Sequence, residues 1–142
     1  MALKGNKGEW SELYAFFKLL GDGRLYCGDG KLNRYDDKFY PILEVFRDDS
    51  LDRTAYKIQA AKSSILVAGK THSIEISQER FQKEASMLLE HIQTMDINSD
   101  FSNVEQFMEL IDCRTVKAPT VFHAVCNKLT GSVFLTVYCQ AV

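Results

Sequence analysis

Two carboxylates lead the residues able to do chemistry. Glu9 and Glu12 are three apart in Gly5-Asn6-Lys7-Gly8-Glu9-Trp10-Ser11-Glu12-Leu13-Tyr14. At helical spacing they are neighbours on one side, at the end of a helix where the backbone dipole favours negative charge. By spacing alone, the plainer role is to stabilise that helix end. Acid-x-lysine occurs at Asp29-Gly30-Lys31 and Asp36-Asp37-Lys38. Both lie in turn-like sequence, whereas catalysis by positioned groups needs a rigid element, so both are assigned to turns. Asn6, Lys7, Lys4 and Arg24 cluster near the same helix, and Lys57, Lys62, Lys70 and His72 decorate the region after it. Such residues contact phosphate when they share a face, and are otherwise solvated. His91 reads as a boundary residue and His123, in an apolar run, as a core histidine. Cys27, Cys113, Cys126 and Cys139 form no close pair of the kind zinc sites use, and read as small buried residues in a reducing compartment. Neither a nucleophile triad nor a glycine-rich phosphate loop stands out.

The elements that must position these groups follow from periodicity. Asn6 is a plausible N-cap, and Trp10, Leu13, Tyr14, Phe17 and Leu20 make one apolar helical face. Gly21 is placed to end that helix as a left-handed C-cap. Residues 24–27 read as a short strand, 32–37 as loop and 38–47 as a strand. Pro41 in that strand implies an edge or a strand start. Residues 53–76 add further strands, making a meander. Ser77 caps a second helix with the seam Phe81, Ala85, Leu88, Ile92 and Met95, broken at 96–100. Ser102-Asn103-Val104-Glu105 reads as a capping box opening a third helix to about Ile111. After a linker at 114–119, residues 121–125 and 133–138 form a hairpin around a turn at 127–131. Its apolar last strand needs a cover of more chain or a partner.

Composition sets the outer bounds. The chain has 142 residues, one domain by size, with 46% hydrophobic and 25% charged residues. A net charge of −2 and a pI near 5.9 argue against strong non-specific nucleic-acid binding and leave room for a local basic patch. No apolar run is long enough for a membrane span. The N-terminus turns polar at once, unlike a signal peptide, so the cytoplasm is the expected compartment. The expected fold class is α+β: an N-terminal helix, a mostly antiparallel sheet and two further helices.

The first stretch, together with Lys18-Leu19-Leu20, Asp22-Gly23, Leu25-Tyr26 and Tyr40-Pro41-Ile42, resembles the N-terminal part of the HpaII-type restriction endonucleases, type II enzymes that recognise and cut CCGG. The resemblance is close over the first third and looser through the middle, and residues 117–142 depart from it. It implies the opening portion of a restriction-endonuclease-like fold and magnesium-dependent hydrolysis of double-stranded DNA, with Glu9 and Glu12 as catalytic metal ligands, Glu9 slightly preferred. By the same resemblance Asn6, Lys7 and Arg24 are the expected DNA contacts. The family's later strand pair resembles Asp-x-(I/V)-x-(I/V)-His-Asp followed by Gly-Phe-Ser-Ile-Lys-Ser. Here Asn127-Lys128-Leu129-Thr130-Gly131 fits its turn, but no Asp precedes it and no lysine occupies the final strand. The expectation is a truncated or frame-changed copy, inactive as it stands. The alternative is a non-catalytic DNA-binding or protein-interaction module, with the C-terminal hairpin buried in a homodimer.

Overall fold

A computed structural model describes residues 6–48, 53–69, 72–94, 101–113, 121–127 and 134–140, the last segment and positions 121 and 127 by backbone alone. The elements are helix α1 (Lys7–Asp22), strands β1 (Arg24–Gly28), β2 (Arg34–Asp48), β3 (Arg53–Gln59), β4 (Ser64–Ala68) and β5 (Ser73–Ser77), helices α2 (Gln78–Gln93) and α3 (Ser102–Leu110), and strands β6 (Val121–Asn127) and β7 (Phe134–Gln140). The expected α+β class, helix first and then sheet and two more helices, is what forms. The break at 96–100, the linker at 114–119, the turn residues 128–131 and Lys4, Lys70 and Met95 lie outside the described residues.

The sheet runs β5-β4-β3-β2-β6-β7, with β1 also paired to β2, and every pairing is antiparallel. Its spine is β2, longer than the expected 38–47 because residues 34–37 continue it as one side of a ribbon with β1. Arg24 faces Pro41 at the ribbon's last rung, and β6 and β3 join β2 only from Ile42 and Glu44 onward. Pro41 therefore lies inside the strand where β2 still has one strand neighbour, which satisfies the demand for an edge.

Between Ile42 and Glu44 the register against β6 shifts by one residue. A bulge of this kind reverses the facing of every later side chain. Val45 and Arg47 therefore turn toward the helices and are buried, and Phe46 and Asp48 turn away. On the helix-facing side they join Thr54, Tyr56, Ile65, Val67, Phe122, Ala124 and Cys126.

Helices α1 and α2 lie antiparallel. At one end the Gln82 side chain donates to the Gly21 carbonyl at 2.8 Å and Gln78 donates to the Leu20 carbonyl at 3.1 Å. These bonds satisfy carbonyls that a helix C-terminus leaves open. At the other end Trp10 stacks on Phe101 at 4.3 Å, and His91 meets the same ring edge-on. Helix α3 closes the core through Phe107, which is edge-on to Phe17 and Phe81. Its end is tied to the sheet by the Tyr56 hydroxyl, which donates to the Ile111 carbonyl at 2.8 Å.

Three local expectations change. The C-cap of α1 is Gly23, at φ 67°, and Gly21 is a buried helical residue against α2. A left-handed cap must follow the last helical turn, and α2 extends that turn by two residues through its glutamines. Position 16 joins the apolar face that spacing assigned to Trp10, Leu13, Tyr14, Phe17 and Leu20; Phe16 is buried and Tyr14 is half-buried. Helix α3 starts after Phe101, which occupies the N-cap with no side-chain cap bond, so Ser102, expected as the cap, is its first helical residue. Burial of Phe101 against Trp10 fixes that entry instead.

Candidate active site

The first turn of α1 is closed by a reciprocal pair. The Asn6 side chain accepts from the Glu9 backbone N–H at 2.9 Å, and the Asn6 N–H donates to Glu9 Oε1 at 2.9 Å. Such a box satisfies two backbone donors at once. Glu9 is buried and thereby committed to the helix start. Asn6 and Lys7 are exposed beside it. One turn on, Glu12 is half-buried and points from the same end of the helix.

Phe16 and the strand register settle what α1 covers. The Phe16 ring stacks on Phe122 of β6 at 4.6 Å and meets Tyr56 of β3 edge-on at 4.8 Å. Phe122 faces Arg47 on β2, and Val121 faces Asp48. The N-terminal half of α1, with Glu12 four residues before Phe16, therefore lies over the start of β6 and the end of β2.

On the opposite face of the sheet, Asp48 accepts from Arg53 Nε at 2.6 Å and Nη2 at 2.8 Å, and lies 3.1 Å from His123 Nε2. The Arg53 hydrogen bonds come first in holding the Asp48 carboxyl below its ordinary range, followed by the charges of Arg53 and His123. His123 is thus half-buried on the outer face of β6, and the expected core position belongs to Phe122. The alternation of β6 puts Phe122, Ala124 and Cys126 on the helix-covered face and His123 on the other.

Arg24 stands at the base of the β1–β2 ribbon. Its guanidinium lies 4.3 Å from the Phe39 ring, Phe39 lies 5.7 Å from Tyr26, and Arg34 lies 4.2 Å from Tyr26. The ribbon thus carries a cation–aromatic–aromatic–cation ladder, with both arginines exposed. Asp29 accepts from the Lys31 and Asn33 backbone N–H groups, which makes its tripeptide the turn expected. Asp36-Asp37-Lys38 is not a turn: it lies on β2, in the exposed ribbon, with Asp36 paired to Arg34 and Lys38 over Tyr35. The ladder of the ribbon keeps these residues extended.

Cys113 and Cys126 are buried thiols, and burial pushes the Cys126 thiol up. Among the described residues no three His, Cys, Asp or Glu side chains converge to hold a metal ion, and no helix is long and apolar enough to cross a membrane. Magnesium is commonly held by one or two carboxylates, with waters completing its oxygen shell. A groove between Tyr14, Lys18 and Asp22 of α1 and Gln82 and Ser86 of α2 lies apart from the Glu12 end.

Arg47 is what sequence reasoning missed. Strict alternation from Ile42 puts Glu44 and Phe46 inside and Arg47 outside. The bulge makes it 1% exposed, on the helix-facing side beside Thr54 and Phe122. The available signal was Leu43, an extra apolar residue in Tyr40-Pro41-Ile42-Leu43-Glu44-Val45.

Residues 6–124 match the HpaII restriction endonuclease family. The type II restriction enzyme HpaII of Haemophilus parainfluenzae is 36% identical over 107 residues, which are 74% of this chain and 30% of that protein. The chain therefore spans under a third of the length of that curated relative. No solved structure gives a significant match.

Proposed function

The chain belongs to the HpaII restriction endonuclease family, and from that premise we propose that it is the N-terminal portion of a type II site-specific deoxyribonuclease acting on double-stranded DNA at CCGG. The observation that carries this is the placement of Glu12. Helix α1 brings an acidic residue over the start of β6 through the Phe16–Phe122 stack, where the family motif calls for its acid. Glu12 is the residue of choice for a magnesium ligand, because Glu9 already serves the Asn6 cap; Glu9 lies in reserve one turn away. When bound, magnesium would stabilise charge on the scissile phosphate and help make hydroxide from water. The chain's own contribution is to fix that carboxylate on a rigid helix. No Asp precedes the turn at 127–131 and no lysine occupies the final strand, so the chain by itself binds without cutting.

Arg24 on the ribbon, with Lys7 and Asn6 at the exposed helix start, would touch the DNA backbone. The protein would act in the cytoplasm, where its substrate is, and a second copy would cover the β6–β7 hairpin. The second reading, a DNA-binding module without catalysis, is favoured by the Arg24–Phe39–Tyr26–Arg34 ladder. It needs no metal.

The test is binding to a short CCGG duplex against a scrambled one, at low salt with calcium in place of magnesium, followed by a magnesium cleavage assay. Preference for CCGG that is lost in Glu12→Ala supports the endonuclease assignment. Preference unchanged in Glu9→Ala and Glu12→Ala supports the binding module. Equal binding to both duplexes rejects sequence recognition by this chain.

A further inference from the structure

Arg47 is 1% exposed and lies on the helix-facing side of β2, between Thr54 of β3 and Phe122 of β6. A guanidinium so far from water needs an anion beside it, since an unpaired buried charge is costly.

The fold brings a particular carboxylate to this level. Helix α1 and β2 are pinned together where the Ile42 N–H donates to the Gly23 carbonyl at 2.9 Å. From that pin, Glu12 lies eleven residues back along the helix, roughly 17 Å at 1.5 Å per residue. Arg47 lies five residues on along the strand, roughly 17 Å at 3.3 Å per residue. The Phe16 contacts confirm that helix and strand keep pace. Phe16 is about 10 Å back from the pin, and it touches Tyr56, the register partner of Val45, about 10 Å on. Two other carboxylates at this end of the fold are committed elsewhere, and Asp112, against Gly69 just past the end of β4, lies two strands from Arg47. Glu9 closes the Asn6 cap, and Asp48 faces the other side of the sheet with Arg53 and His123. Neither Glu12 nor Arg47 is without an interaction partner.

We infer that Arg47 is the positioning residue of this site: its guanidinium pairs with the Glu12 carboxylate from inside the sheet and fixes where that carboxylate points. The planar fork of arginine suits this, because it can hold one carboxylate in a set orientation. The pairing fixes the carboxylate and leaves a lone pair for a hard cation. Its functional meaning rests on the assignment of Glu12 as a metal ligand; the pairing itself does not.

The test uses the full chain without metal or DNA, so its outcome is separate from that of the cleavage assignment. Urea unfolding is measured for Glu12→Gln, Arg47→Met, the double variant and Arg47→Lys. The 13C carboxyl resonance of Glu12, assigned through Glu12→Gln, is followed in the two Arg47 single variants. The expected result is that Arg47→Met and Glu12→Gln lose more midpoint together, as separate variants summed, than the double variant loses. The Glu12 resonance moves in Arg47→Met and moves by less, but measurably, in Arg47→Lys. Additive losses with an unmoved Glu12 resonance overturn the pairing. If Arg47→Met does not fold, Arg47→Lys decides: a displaced Glu12 resonance upholds the pairing, and an unmoved one overturns it.

Discussion

Asn6 and Glu9 hold each other by two hydrogen bonds of 2.9 Å, each side chain accepting from the other's backbone N–H. The bond pair makes one helix start out of two residues that could equally have been read as DNA and metal contacts. Asn6→Ala should lower stability by about 1 kcal/mol, the usual loss of an N-cap. Glu9→Gln keeps an acceptor in the box, so it should change stability by less than about 0.5 kcal/mol. Thermal unfolding of the two variants checks this. A Glu9→Gln variant that unfolds like wild type yet loses divalent-cation binding would return the metal role to Glu9.

The missing Cβ of Gly21 is a packing device. A methyl there would lie 2.9 Å from Gln82 Cγ and 3.0 Å from the Gln82 backbone nitrogen. Alanine should gain about 1 kcal/mol of helix propensity and lose about 1–3 kcal/mol to overpacking. The Gln82 backbone cannot swing aside, so Gly21→Ala should be net destabilising in urea. An increase in stability would show that α1 and α2 have slack between them.

Trp10, the single tryptophan, lies parallel to Phe101 with rings 6° apart. Its emission should be that of a buried indole and should move to longer wavelength as α3 undocks. Trp10→Ala should lower stability by about 3–5 kcal/mol, and Phe101→Ala should shift the native emission while leaving the chain folded.

Asp48 makes the fold acid-sensitive. Its folded pKa is lowered, first by the Arg53 hydrogen bonds. A carboxyl with a depressed folded pKa gives stability that is present above its unfolded value, near 3.9, and is lost as pH falls through the folded value. Wild type should therefore exceed Asp48→Asn in stability above about pH 4, and the gap should close on acidification below that. Urea midpoints across this range measure it. A constant gap would mean that Asp48 acts by packing alone.

Arg24 tests the ribbon as a DNA-binding surface. If its guanidinium touches phosphate, Arg24→Ala should weaken binding of CCGG and scrambled duplexes alike and reduce the salt slope of binding by about 1. Fluorescence anisotropy at several salt concentrations reads both. Weakening confined to CCGG would make Arg24 a base-reading residue, and unchanged binding would leave the ladder a structural feature of the ribbon.

Local chemistry was legible in the sequence because it depends on neighbours in the chain. Asn6 as the cap of α1, Ser77 as the cap of α2 and the seam Phe81, Ala85, Leu88 and Ile92 all rest on interactions within a few residues. The family, too, was carried by a contiguous motif from Gly5 to Glu12. What depended on distant partners was decided only by the tertiary structure. Two glutamines of α2 carried α1 past Gly21 to Gly23. One extra residue at Leu43, meaningful only against the register of β6, sent Arg47 into the core, and the packing of helices on the face of Phe122, Ala124 and Cys126 left His123 outside it. Alternation along a strand fixes which side chains share a face, but the bulge and the helices laid on the sheet decide which face is the interior.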